Sequence, residues 1–383
     1  MTTTQQQNNK NKIKNTTRKT IQNNPLFQQF STIRNIQPQT QETYANALVK
    51  YTQTQQMTLQ ELLDEADQEE EQMIRLPRRK IQQRYTQFKQ KLQEENYTNS
   101  TINRYIGHIT TFYNTFQITT PQLPRNKTRK QTYKEIITTQ DIQTVLEHAH
   151  KTKYKALILF MASSGTGRGE TSNLTIQDFI DATKDYHHET KIEHVLTALH
   201  GREDIIPTWH IRRIKTGTPY FTFCTPEATK YILHYLSEQL LRKPLKAEDR
   251  LFGLTPQSIT ESFKKFNDRS GFGWMNPTHR FFHSHGLRKF FATSMVSAGV
   301  SDMLVDFWEG RTIDPTHQAY FNPSPEQLRK RYSVAMNCVT ILGDIRYTDI
   351  TSEEKQELEE LRRESVERER KIEWILETLN YKG

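Results

Sequence analysis

The chain has 383 residues, enough for two or three domains, yet only 34% are hydrophobic and no stretch approaches the roughly 20 apolar residues of a membrane span. Lys and Arg number 53 against 44 Asp and Glu, a net charge of +9. Cys224 and Cys338 stand far apart, which argues against a disulfide scaffold or a cysteine zinc site and predicts a reducing, cytoplasmic setting.

The first segment, 1–24, is low-complexity Thr/Gln/Asn/Lys with five basic residues and no acid. It has no apolar run, so it predicts a disordered basic tail and no signal peptide. Residues 25–120 read as all-helical. The stretch 37–54 offers Thr40 as a cap and places Tyr44, Leu48 and Tyr51 at helical spacing; 57–67 is a short second helix. A basic amphipathic helix over 76–95 turns Ile81, Tyr85, Phe88 and Leu92 inward. A further helix over 98–116, capped by Ser100 or Thr101, turns in Ile102, Tyr105, Ile106, Ile109 and Phe112.

Charge is segregated in this region. Residues 61–71 hold seven acids, whereas 75–134 hold thirteen basic residues against Glu94 and Glu95 alone. A basic block of this size is the footprint of a phosphate-backbone partner, with a solvated charged face as the plain alternative. The candidate DNA contacts are Arg78, Arg79, Lys80, Arg84, Lys89, Arg104, Arg125, Lys127, Arg129 and Lys130. Residues 121–135, with two prolines and five basic side chains, read as an interdomain linker.

A larger unit follows over 136–342. Helices are expected over 138–150, 154–165, 226–242, 258–269, 285–299 and 325–336, the second apolar enough to be buried. The run WHIRRIKTGTPYFTFCTPEA (209–228) has a Lys-Thr-Gly-Thr-Pro turn before a β-prone segment and predicts a hairpin, with Phe221 and Phe223 on one face and Tyr220 and Thr222 on the other. Past 350, a long charged helix over 352–380 carries an interrupted heptad seam, as in a weak coiled coil, a docking helix or a surface helix. The expected class is mainly α with a small antiparallel β-sheet.

Four stretches of the larger unit carry chemistry. SSGTGRGETSNLTIQDF (163–179) sets Arg168 and Glu170 in a glycine-rich turn that opens a helix. KTGTP supplies Lys215. HSHGLRKFFAT (283–293) sets His285 one turn before Arg288. FWEGRTIDPTHQAYFNP (307–323) holds Arg311 and Tyr320, nine residues apart. Guanidiniums hold a phosphate in fork geometry and stabilise charge at a five-coordinate phosphorus. A tyrosine attacks that phosphorus, a lysine protonates the leaving oxygen, and a histidine donates a hydrogen bond or assists proton transfer. No carboxylate cluster suited to Mg²⁺ is evident in the sequence, so no cofactor or metal is expected. Each signal alone is weak; their order, behind a basic helical domain, is more specific.

On these motifs the sequence resembles the tyrosine recombinase (phage integrase) family, in a style like its archaeal members carried by mobile elements. HGLRKFFAT resembles its H-x-L-R-H-x-F-A-T box, GRTIDPTHQAYFNP the segment of the nucleophilic tyrosine, and KTGTPYFTF the catalytic hairpin. The run T-I-N-R-Y-I-x-x-I-x-x-F-Y (101–113) resembles part of the helical core-binding domain. The resemblance covers about 320 residues. It implies a core-binding domain plus a DNA breaking–rejoining catalytic domain that clamp a duplex. It also implies metal-free strand transfer through a 3′-phosphotyrosine, and four protomers acting on paired attachment sites. By position, Tyr320 is the nucleophile, Arg168 and Arg288 hold the phosphate, Lys215 is the acid, His285 assists, Arg311 fills the usual His/Trp position and Glu170 supports. The protein is expected at the nucleoid, as a monomer or weak dimer away from DNA.

Two departures stand out. The family's arginine box runs S-G-L-R-x-S-E; an ungapped match puts Gly167 in the arginine column and Arg168 one residue later, with no other arginine close in sequence. The family's Gly-His or Gly-Trp pair is Gly310–Arg311 here. They motivate a second reading, a weakened or inactive DNA-binding protein on the same scaffold. Type IB topoisomerases and telomere resolvases share the chemistry and differ in substrate and assembly, which sequence shows poorly; the integrase-like boxes disfavour a topoisomerase, and an RNA-binding or structural role has only charge behind it. His283 and His317 are assigned structural roles.

Overall fold

A computed structural model of the chain describes residues 13, 16–128, 136–276, 279–313 and 324–343. These are mainly helical, with two small antiparallel sheets. They fall into two compact units, Met1–Thr132 and Tyr133–Gly383, each with its own apolar core. Among the described residues, no helix is long and apolar enough to cross a membrane.

The first unit is built from helices Pro25–Ile33, Pro38–Gln55, Leu59–Glu71, Lys80–Glu94 and Asn99–Thr115. The apolar stripes lie where their spacing places them. Ile81, Tyr85, Phe88 and Leu92 are buried, as are Ile102, Ile109 and Phe112, while Tyr105 and Ile106 are partly covered. Tyr51 meets Phe88 edge-on, with ring centroids 5.1 Å apart. Two caps differ from expectation. Pro38 sits in the first turn with Gln37 before it, because a ring-fixed φ preorganises a helix start without a hydroxyl cap. Thr98, not Ser100 or Thr101, caps Asn99–Thr115 by accepting from the Thr101 N–H at 3.3 Å.

The segment read as a disordered tail is ordered at its end. Helix Arg18–Gln22 carries a capping box between Thr17 and Thr20 and buries Ile21. Gln53 Nε2 donates to the Thr16 carbonyl at 3.0 Å, and Arg18 pairs with Glu42 at 3.1 Å. One well-placed isoleucine and a local cap outweigh the polar composition. Residues 1–12 and 14–15, and the expected 352–380 helix, lie outside the described residues.

The two charge blocks meet inside this unit. Arg84 grips Glu65 with two nitrogens, at 2.5 and 2.9 Å, and Lys80 Nζ lies 3.2 Å from the same carboxylate. Arg79 pairs with Glu70, and Glu69 accepts from the Lys80 N–H at 2.9 Å, capping helix Lys80–Glu94. Part of the basic excess is therefore spent on the acidic run, and not left free for a partner.

In the second unit, helix Thr152–Ser164 is buried on every side from Ala156 onward. Helices Pro226–Leu240 and Ser284–Ser297 pack against it. The hairpin is present: β1 (Thr208–Arg212) pairs antiparallel with β2 (Pro219–Phe223), Thr208 opposite Phe223 and Arg212 opposite Pro219. Tyr220, Thr222 and Phe223 are all buried, so both faces of β2 are covered at that end. A second ribbon, β3 (Trp274–Asn276) with β4 (His279–Arg280), had no sequence signal. It is too short for alternation to register and is fastened by side-chain contacts of Arg280. Arg280 reaches Asp268 at 2.6 and 2.9 Å and lies 4.5 Å over the Trp274 ring.

Candidate active site

The site is organised around Arg288, in the first turns of helix Ser284–Ser297. Leu287, Phe291 and Met295 anchor the helix in the core, and Arg288 shares their inner side. Its side chain is only 5% exposed. Nη1 donates to the Gly165 carbonyl at 2.9 Å and Nη2 to the Glu309 carbonyl at 2.6 Å. Both acceptors are helix C-caps, Gly165 ending Thr152–Ser164 and Glu309 ending Asp302–Trp308. A helix end offers unpaired carbonyls and a partial negative charge, so two of them hold a buried guanidinium well.

Those helix ends are shaped by glycine. Gly165 has φ +65°, and a Cβ there would come within 2.4 Å of Phe291. Gly310 has φ +63°, and a Cβ there would meet the Tyr220 ring at 2.5 Å. Beyond Gly165, the hydroxyls of Ser164, Thr166 and Thr171 link in series at 2.9 Å and fix the turn into helix Arg168–Asn173.

Around Arg288 stand two carboxylates and two further guanidiniums. Glu309 is fully buried; its carboxylate lies 3.3 Å from Arg288 Nε and 2.6 Å from Arg311 Nη2. Neither oxygen has an aligned hydrogen bond within the described structure, so these are ion contacts. Burial pushes the Glu309 carboxyl up to about 7, against the pull of Arg288 and Arg311. Arg311, exposed, is also held by Asp306 at 2.9 Å. Glu170 is buried and pairs at 3.1 Å with Arg213 Nη1, which also donates to the Glu309 carbonyl at 3.4 Å. Tyr220 is buried alongside, and burial followed by the nearby Glu170 charge drives its hydroxyl well above the usual phenol range.

The structure thus brings Arg288, Arg311 and Glu170 together. Arg168 stands apart: it is exposed, and its Nη1 donates to Thr260 Oγ1 on helix Pro256–Arg269 at 2.6 Å. Lys215 is exposed in the hairpin turn. His285 is exposed beside Arg288. Desolvation, then Lys289, His283, Arg288 and Arg311, lower it to about 4, so its imidazole is neutral at pH 7. His283 occupies the N-cap position of the same helix without a side-chain capping bond, and its Nδ1 lies 2.8 Å from the Phe281 carbonyl, as suits a structural role. Tyr320 and His317 lie outside the described residues, as do Arg129 and Lys130.

Of the expected DNA contacts, Arg79, Lys80 and Arg84 are ion-paired in the first unit, and Lys89 Nζ donates to the Pro124 carbonyl at 2.8 Å. Arg78, Arg104, Arg125 and Lys127 are exposed and make no ion pair among the described residues. Arg213 was missed by sequence reasoning. Its one signal was its place two residues before Lys215 in the hairpin.

No family model matches the chain, and no curated protein matches it. Solved structures do. A lambda integrase tetramer bound to a Holliday junction is 10% identical, covering 78% of this chain and 76% of that one, with a TM-score of 0.49. XerH site-specific recombinase bound to palindromic difH substrate is 16% identical, covering 80% and 82%, with a TM-score of 0.47. The Tn1549 transposon integrase in complex with transposon right end DNA is 15% identical, covering 89% and 99%, with a TM-score of 0.46. These three solved structures are one recombinase and two integrases.

Proposed function

We propose that this chain is a site-specific tyrosine recombinase that cleaves and rejoins duplex DNA at attachment sites. The observation that carries the reading is the buried Arg288, held between two helix C-termini and clustered with Arg311 and Glu170. Such a cluster is preorganised for a phosphoryl transition state, since its orientation is already fixed before the phosphate arrives.

The step follows from the side chains. Tyr320 Oη attacks the scissile phosphorus, forming a Tyr–O–P ester as the P–O5′ bond breaks. The phenol proton goes to solvent. Lys215 gives a proton to the departing 5′ oxygen, leaving a free 5′-hydroxyl. Neutral His285 donates a hydrogen bond to a phosphate oxygen, and Arg288 and Arg311 hold the other charges. The reverse attack by a 5′-hydroxyl from a partner duplex restores a phosphodiester and frees the tyrosine. The bond energy is kept in the ester, so the scheme draws on no ATP. Arg78, Arg104, Arg125 and Lys127 hold phosphates of the flanking duplex, and four copies act together on two sites.

The second reading is a DNA-binding protein with weakened or lost chemistry. It is favoured by Arg168, which is turned to Thr260, and by Glu309, which offsets positive charge beside Arg288. A duplex carrying a site selected by the full-length protein from a randomised library, nicked so that the 5′ fragment escapes, separates the two. Incubated without added metal and run on denaturing gels, it should give a covalent adduct with wild type and none with Tyr320→Phe. Tight binding with no adduct from wild type would leave the second reading standing.

A further inference from the structure

We infer that Arg213, delivered by the β1–β2 hairpin, supplies the phosphate-holding guanidinium that the sequence pattern assigns to the glycine-rich turn. The inference rests on the recombinase reading above and names a residue that its motifs do not contain.

The matched arginine column falls on Gly167, which has no side chain to offer. The space above it is already taken. A Cβ built on Gly167 would lie 2.4 Å from Glu170 Oε2 and 3.8 Å from Arg213 Nη1. An arginine from the hairpin therefore brings its head group to the place where a residue-167 side chain would begin. Glu170, one turn later, pairs with that head group at 3.1 Å.

Arg213 also converges on Arg288. Its Nη1 donates to the Glu309 carbonyl at 3.4 Å, and Arg288 Nη2 donates to the same oxygen at 2.6 Å. Two guanidiniums from separate elements thus share one acceptor. The Nε and Nη2 of Arg213 make no hydrogen bond among the described residues, so an unused edge of the fork remains for an anion.

The backbone fixes this delivery. The Arg213 N–H donates to the Thr218 carbonyl at 2.8 Å, and its carbonyl accepts from Gly217 at 2.7 Å, closing the turn that presents Lys215. The side chain is 22% exposed, buried enough to be held and open enough to be reached. Arg168, by contrast, is exposed and bonded to Thr260.

The test uses the full-length protein and the nicked duplex described above, with protein in excess. It compares wild type, Arg213→Ala, Arg213→Lys, Arg168→Ala and the double variant Gly167→Arg/Arg213→Ala. Adduct rate, affinity for the uncleaved duplex and melting temperature are read for each. Arg213→Ala should slow the adduct about 100-fold or more, with affinity within about threefold. Arg213→Lys keeps a charge for Glu170 but loses the planar fork, and should remain at least about tenfold slow. The double variant should recover about tenfold over Arg213→Ala, which a purely structural role for Arg213 would not produce. Arg168→Ala should lose less than Arg213→Ala. If Arg213→Ala unfolds, the lysine variant decides. An adduct rate within threefold of wild type in Arg213→Lys and Arg213→Ala, or a larger loss in Arg168→Ala, overturns the inference alone. No Tyr320-dependent adduct from wild type overturns the recombinase reading itself.

Discussion

Arg288 and Glu309 meet twice: the guanidinium donates to the Glu309 carbonyl at 2.6 Å, and its Nε faces the same residue's carboxylate at 3.3 Å. The backbone contact survives any change to the Glu309 side chain; the charge contact does not.

That distinction sets a pH prediction. The Glu309 carboxyl is raised from 4.5 to about 7. In the window from about 4.5 to about 7 the folded chain holds a proton that the unfolded chain has lost. The stabilising contribution is full below 4.5 and fades as pH rises through 7. Its size is on the order of 3 kcal/mol. Urea titrations of wild type and Glu309→Gln at several pH values should show the variant with a flatter profile across that window. Parallel profiles would refute it.

His285 gives the opposite sign. Its pKa falls from 6.5 to about 4, so the unfolded chain binds a proton across that interval and the folded chain does not. This contribution is present above 6.5 and is lost as pH falls toward 4. In proton NMR, the His285 ring signal, assigned by its loss in His285→Gln, should titrate below pH 5. A midpoint near 6.5 would mean the ring is not desolvated.

Gly165→Ala forces a side chain into a left-handed turn and into Phe291. Strain and overpacking together should cost about 2–4 kcal/mol. Phe291→Leu in the same chain should return part of that loss, a coupling that a double-mutant cycle measures. Simple additivity would show that the turn relaxes by some other route.

The basic residues of the first unit should separate into two classes. Removing Arg78, Arg104, Arg125 or Lys127 one at a time should lower the slope of log affinity against log salt by about 1 for duplex DNA, with little change in melting. Arg84→Ala should do the reverse, because Arg84 is bound to Glu65 and Gln55. Equal salt slopes for Arg84 and Arg104 would erase the distinction.

What the sequence reveals and what it conceals differ in kind. Helix interiors were legible because burial repeats along one segment, as with Ile81, Tyr85, Phe88 and Leu92. The hairpin was legible because Lys-Thr-Gly-Thr-Pro marks its own turn. Helix starts were less so: Pro38 and Thr98 compete with nearby hydroxyl residues, and only backbone geometry decides. Composition treated the acidic and basic blocks as separate, whereas Arg84 and Glu65 neutralise one another across two helices. Arg213 was hidden for the same reason. Its neighbours Glu170 and Glu309 are 43 and 96 residues away in the chain, so no local pattern records them.

The hairpin that carries Arg213 carries Lys215 two residues on, and its turn is closed by hydrogen bonds through Arg213 and Gly217. Under the reading proposed here, grip and proton source are then one mechanical part. A single displacement of the turn between β1 and β2 would disarm both at once. Were four copies to act on paired sites as proposed, some would idle while others cut, and such a part would be a ready place for a neighbouring copy to impose that alternation.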